Sequence, residues 1–129
     1  MRQVRFSLPA RPESVRAARN RVRGLLDSWA DEEARHAVLL LVSEVVTNAV
    51  RHASGTLQVT ATLGRHRVRA MVLDHSPQLP ALRPDDESGG RGLRLLEALA
   101  TRWGVQQHQA NGKTVWFEVT DRAAARKSR

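Results

Sequence analysis

The sequence predicts an α+β fold: a two-layer α/β sandwich in which a mixed, mostly antiparallel sheet carries its helices on one face. Three observations carry that expectation. Apolar and polar residues alternate in two neighbouring pairs of segments, Thr56–Leu63 with Val68–Leu73 and Gly104–Gln109 with Thr114–Val119. Short turns join the members of each pair, Gly64-Arg65-His66-Arg67 in one and Asn111-Gly112 in the other, so each reads as a hairpin. Three further stretches repeat apolar residues at helical spacing, which gives the order β-α-α-β-β-loop-α-β-β.

Each element has a local reason. Val4, Phe6 and Leu8 alternate with Arg5 and Ser7, a half-buried strand that ends at Pro9. Arg11-Pro12-Glu13 opens the first helix, with proline near the first helical position and an acid in the first turn. Val15, Ala18, Val22, Leu25, Leu26 and Trp29 carry that helix to about Ser28, while Arg16, Arg19 and Arg23 line another side. Asp31 is placed to cap a second helix that runs to about His52 and stops at Ser54-Gly55. Its residues Val38, Leu39, Leu41, Val42, Val45, Val46, Ala49 and Val50 are apolar on nearly every side, which puts it in the middle of the fold. Residues 75–92 break all periodicity with Pro77, Pro80, Pro84, the trio Asp85-Asp86-Glu87, and Gly89, Gly90 and Gly92. A loop of that length inside a compact domain is functional or disordered. Leu93, Leu95, Leu96, Leu99 and Ala100 then restart a helix.

Composition bounds the function. A chain of 129 residues with 41% apolar content suits one domain, expected over residues 1–121, with a basic, frayed tail at 122–129. The absence of cysteine excludes disulfides, thiolate nucleophiles and cysteine metal sites. No apolar run approaches the ~18 residues of a membrane span, and the first residues lack a secretory stretch, so a cytoplasmic protein without a membrane partner is expected. The net charge of +8 invites a nucleic-acid reading, but its location argues against one. Seven arginines from Arg2 to Arg23 and the tail Arg122, Arg126, Lys127 and Arg129 hold all of the excess; the body of the domain is slightly acidic. With three Trp and two Phe there is also little to stack on bases.

Polar chemistry concentrates in three places. Glu44, Asn48 and His52 recur at i, i+4 and i+8 on the second helix, advancing only ~40° per step, so they form one polar stripe with aliphatic flanks. A carboxylate and an amide among aliphatic side chains need partners: a structural hydrogen-bond network, solvent, or a bound ion. Asp74 follows the apolar strand Val68–Leu73 and serves there either as a turn-former or as an acceptor for an exocyclic amine. Gly89-Gly90-Arg91-Gly92-Leu93 joins the long loop to the third helix. It is either a flexible connection or a place where a helix N-terminus meets an anion. Gly112-Lys113-Thr114 is not the end of a P-loop, because the first glycine of that motif would fall at Gln107 and the tripeptide sits in a hairpin turn rather than before a helix. The five histidines show no metal-ligand spacing.

In order, these pieces resemble the GHKL ATPases, the Bergerat-fold group that includes histidine-kinase catalytic domains. LVSEVVTNAVRHA resembles their N-box, LDHSP lies at the first glycine box, GGRGLRLL resembles the second and GKTVWFEV the last. The pattern is most similar to stand-alone, actinobacterial-like anti-sigma-factor serine/threonine protein kinases, from Phe6 to about Val119. The resemblance implies ATP and Mg²⁺ as cofactors. It implies that Asn48 ligates the metal, that Glu44 is the general base for the attacking hydroxyl, and that Asp74 accepts from the adenine amine with support from the Thr114 hydroxyl. Gly90 and Gly92 would give N–H groups to the phosphates, Arg91 a charge contact, and residues 75–92 a mobile lid. His52 is read as a structural cap. The sequence departs from the family where Asp-x-Gly-x-Gly becomes Asp74-His75-Ser76-Pro77-Gln78, which weakens the expected grip on ATP.

Two functions follow from the resemblance. One is a protein kinase acting in transcription regulation, with an anti-sigma-factor antagonist as substrate and a sigma-factor-like protein as a further partner. The alternative is a non-catalytic switch module in which bound nucleotide sets partner affinity. Either leaves a homodimer open. A histidine kinase is disfavoured, because no dimerisation helix with a phospho-acceptor His precedes the domain in this sequence.

Overall fold

The computed structural model describes residues 1–52, 55–75, 90–108 and 112–123. Eight elements follow in chain order: β1 (Arg2–Pro9), α1 (Glu13–Leu26), α2 (Glu32–His52), β2 (Thr56–Leu63), β3 (Arg67–Asp74), α3 (Gly90–Leu99), β4 (Arg102–Gln107) and β5 (Lys113–Thr120). The strands form one five-stranded sheet in the order β1-β2-β3-β5-β4. Every pairing is antiparallel, so the sheet is not mixed; the expected α+β sandwich is otherwise what the chain forms. The fourth strand begins two residues before the expected Gly104, at Arg102. Residues 53–54, the Asn111 side of the second hairpin and the tail beyond Ala123 lie outside the described residues.

Strand alternation divides the sheet into two unlike faces. Leu57, Val59, Ala61 and Leu63 of β2, Val68, Ala70 and Val72 of β3, and Val115, Phe117 and Val119 of β5 are buried toward the helices. Against them pack Ala18, Val22, Leu25 and Leu26 of α1 and Val38, Leu41, Val42, Val45, Val46 and Ala49 of α2. Each fully buried Leu, Val or Phe contributes about 1.5–3 kcal/mol relative to exposure, so this layer interface is the main source of stability. As its apolar sequence predicts, α2 is central: it packs on α1, α3, β3 and β5. Its one outward large apolar residue is Leu40, 40% exposed.

The opposite face is polar and carries none of the described helices. Arg69 lies over the Trp116 ring, 4.5 Å from its centroid. A side chain at Gly104, which faces Trp116 across the β4–β5 pair, would start 2.8 Å from the indole nitrogen, so only glycine lets the ring lie there.

The entrance to α2 is held as expected. Asp31 Oδ1 accepts from the Ala34 N–H at 3.1 Å, the N-cap geometry. Its other oxygen accepts from the Arg122 N–H at 2.9 Å. Those two backbone hydrogen bonds, the Arg122 one first, hold the Asp31 carboxyl below its ordinary value. The first residue of the expected tail is therefore fastened to α2, and its guanidinium also reaches Glu33. Beside it Trp29 donates its indole N–H to Asp121 at 3.1 Å, closing the α1–α2 corner over the end of β5. No described helix is long and apolar enough to cross a membrane.

Candidate nucleotide site

Topology brings the polar positions to one end of the sandwich. The last residue of α2, His52, lies a few residues before Thr56, where β2 begins. The start of β2 pairs with the end of β3, Gln58 opposite Leu73, and the end of β3 pairs with the start of β5, Asp74 opposite Lys113. At the other end a groove is lined by Ala34 and Ala37 from the beginning of α2, Ala98 and Leu99 from the end of α3, and Val119. The two helices are thus antiparallel, and the first turn of α3 returns toward Asn48 and Asp74.

Asp74 shares the inward face of β3 with Val68, Ala70 and Val72 and is 1% exposed. Lys113, 2% exposed, enters from the neighbouring strand and sets its Nζ 3.0 Å from one carboxylate oxygen and 3.3 Å from the other. Two opposite charges are buried together here, an arrangement that tolerates the loss of neither partner. The turn before Lys113 is pressed onto the end of β3. Gly112 has φ 127°, and a side chain on it would start 2.5 Å from the Asp74 carbonyl oxygen. Only glycine fits that conformation and that approach.

Thr114 is not brought to Asp74. It pairs with Leu73 on the other face of the sheet, and its hydroxyl lies 2.8 Å from His108 Nε2. Lys113 is the residue that sequence reasoning missed. Its signal was present: Lys113 has the same parity as the inward-facing Val115, Phe117 and Val119.

On α2, Asn48 Oδ1 is buried and has no hydrogen-bond partner among the described residues, and the same holds for His52 Nε2. Glu44 lies one turn before Asn48, about 6 Å along the axis. An unpaired amide oxygen is a hard donor that suits Mg²⁺, which keeps several waters and binds through one or two protein oxygens plus phosphates. No group of three His, Cys, Asp or Glu that could cage a metal occurs among the described residues. The first N–H groups of α3 carry the positive end of its dipole toward the same region. For Gly90, Arg91 and Gly92 the backbone alone is described; the lid expected at 75–92 falls, from Ser76 to Gly89, outside the described residues.

Residues 8–119 match the model of the histidine kinase-like ATPase domain. The chain belongs to that family. An uncharacterized protein of Streptomyces coelicolor, SCO4941, is 39% identical over 75 residues, which cover 51% of this chain and 70% of that protein. Among solved structures, the chain is similar to the RsbU and RsbW domains of Rv1364c from Mycobacterium tuberculosis, with a TM-score of 0.73 and 24% identity. That match covers 94% of this chain but 33% of the other, so the chain spans about a third of the Rv1364c chain. The histidine kinase AdeS of Acinetobacter baumannii is similar at TM-score 0.53 and 13% identity, over 95% of this chain and 70% of that one. These likenesses agree on the fold: an ATPase-type α+β domain.

Proposed function

We propose that the protein is a cytoplasmic Mg-ATP-binding regulator of the anti-sigma-factor type that phosphorylates a serine or threonine on an antagonist protein. The observation that carries this reading is the buried Asn48 oxygen, which has no hydrogen-bond partner among the described residues, at the same end of the sheet as buried Asp74 and the first turn of α3. Family membership supports the nucleotide. The likeness to the RsbW-containing structure supports the partner class.

In this reading Asn48 holds Mg²⁺ through its amide oxygen, and Asp74 accepts a hydrogen bond from the base. The N–H groups of Gly90 and Gly92 would donate to phosphate oxygens, and Arg91 would add a charge contact. Glu44, one turn from Asn48, orients the incoming hydroxyl and takes its proton. When bound, Mg-ATP supplies the transferable phosphoryl group and the charge that neutralises its oxygens; positioning and electrostatics are what the protein adds.

Mg-ATP at about a hundred times its Kd is expected to stabilise the fold by about 2.7 kcal/mol, read as a rise in Tm. Asn48→Ala is expected to lose that rise, and Glu44→Ala to keep it while losing phosphotransfer from labelled ATP to an antagonist protein. A stable complex with no label on the antagonist would favour the switch-module alternative. Absence of any ATP-dependent Tm change in folded wild type would defeat the proposal.

A further inference from the structure

A carboxylate standing alone in a base pocket accepts hydrogen bonds and donates none, so it selects a 6-amino purine and repels the oxygen of a 6-oxo purine. Asp74 does not stand alone. Lys113 Nζ sits 3.0 Å from Oδ2 and 3.3 Å from Oδ1, and both side chains are almost fully buried. An ammonium has three N–H bonds, of which one carboxylate takes at most two; a carboxylate has about four lone-pair sites. The pair therefore sets a donor beside an acceptor.

We propose that Lys113 is a specificity-determining residue that opens the site to 6-oxo as well as 6-amino purine nucleoside triphosphates. The inference rests on the reading that the base docks on Asp74. With a 6-amino base, the exocyclic amine donates to Asp74 and ring N1 accepts from Lys113. With a 6-oxo base, N1–H donates to Asp74 and O6 accepts from Lys113. Both arrangements give the two base atoms that face the pair a complementary partner, whereas a lone carboxylate would face O6 with like charge. Stability alone does not account for the lysine, because a buried ion pair is commonly no better than two apolar side chains of the same volume.

The test is calorimetry on the full chain with Mg²⁺ and either ATP or inosine triphosphate, which differ at position 6 without adding the 2-amino group of guanine. Wild type is expected to bind the two within about fivefold of each other. Lys113→Met, which keeps volume without a donor, and Lys113→Thr are expected to lose about 10–100-fold in affinity for inosine triphosphate, the range a charged hydrogen bond controls, and about tenfold or less for ATP, which loses only the bond to N1 while O6 of the 6-oxo base is also left facing the bare carboxylate. Wild type preferring ATP by more than about a hundredfold would overturn the inference and leave ATP binding intact, as would a Lys113→Met protein that still binds inosine triphosphate like wild type. Failure of wild type to bind either nucleotide would overturn the proposed function itself. If thermal melts show both variants unfolded, the wild-type ratio alone decides.

Discussion

Two buried acids on the two faces of one sheet are held in opposite ways. Asp74 faces the helices and shares a dry site with Lys113; each is nearly inaccessible. Glu118, 4% exposed on the helix-free face, lies under three guanidinium groups, Arg67 at 3.8 Å, Arg69 at 3.5 Å and Arg102 at 3.7 Å. Those arginines are themselves 59%, 45% and 69% exposed, so water and salt screen them and each can stand in for another. The contrast teaches that equal burial of an acid does not mean equal dependence on one partner. Redundant, solvated cations make Glu118 tolerant; pairing with a desolvated ammonium makes the Asp74 end of the sheet intolerant.

The largest effect tests that intolerance directly. Lys113→Met is expected to cost about 3–5 kcal/mol in urea unfolding, because it strands a buried carboxylate. Asp74→Leu combined with Lys113→Met is expected to recover most of the loss, since both charges then leave together. If single and double variants are equally unstable, the pair is not what holds that end.

Asp31 supplies an intermediate case, a cap held first by backbone N–H groups, with the Arg122 guanidinium 4.0 Å from its carboxylate as a weaker partner. Asp31→Ala is expected to cost about 1 kcal/mol. The carboxyl is held below its ordinary value of 3.8, so its contribution is fully present above that pH and is lost as pH falls through the lowered folded-state value. Acid titration of wild type against the variant reads this as curves that converge at low pH; a constant gap down to the lowest pH would remove the assignment.

Arg102→Ala should do least, no more than about 0.5–1 kcal/mol, and less in high salt. A larger, salt-independent loss would mean that Glu118 depends on one arginine after all, and the contrast between the two faces would fail.

Much of this was legible in the sequence because it is local. Val38, Val42, Val45 and Ala49 announce a buried helix face by spacing alone, and Asp31 is recognisable as a cap from its position before Glu32 and Glu33. Glu44, Asn48 and Asp74 stand out because polar groups among aliphatic neighbours need a reason. Harder to read than these local features is which side chain meets Asp74. That depends on the register between β3 and β5, two strands separated by α3 and β4, and a slip of one residue exchanges Lys113 for Thr114. The family pattern pointed to the threonine; the inward parity of Val115 and Phe117 decides for the lysine. Residues 76–89 and 124–129 are among those outside what the structure describes, so the lid and tail expectations stay with the sequence.

The position of β1 at the sheet edge has a kinetic consequence. Its partner is β2, with Arg2 opposite Leu63, so during synthesis β1 waits for that partner until residues 56–63 have emerged. At about 5–20 residues per second that interval lasts seconds, during which α1 and α2 are already able to dock. A strand bearing Arg2 and Arg5 is poorly suited to pair with a neighbouring nascent chain, and the same charges that look like an interaction signal keep the unfinished edge to itself.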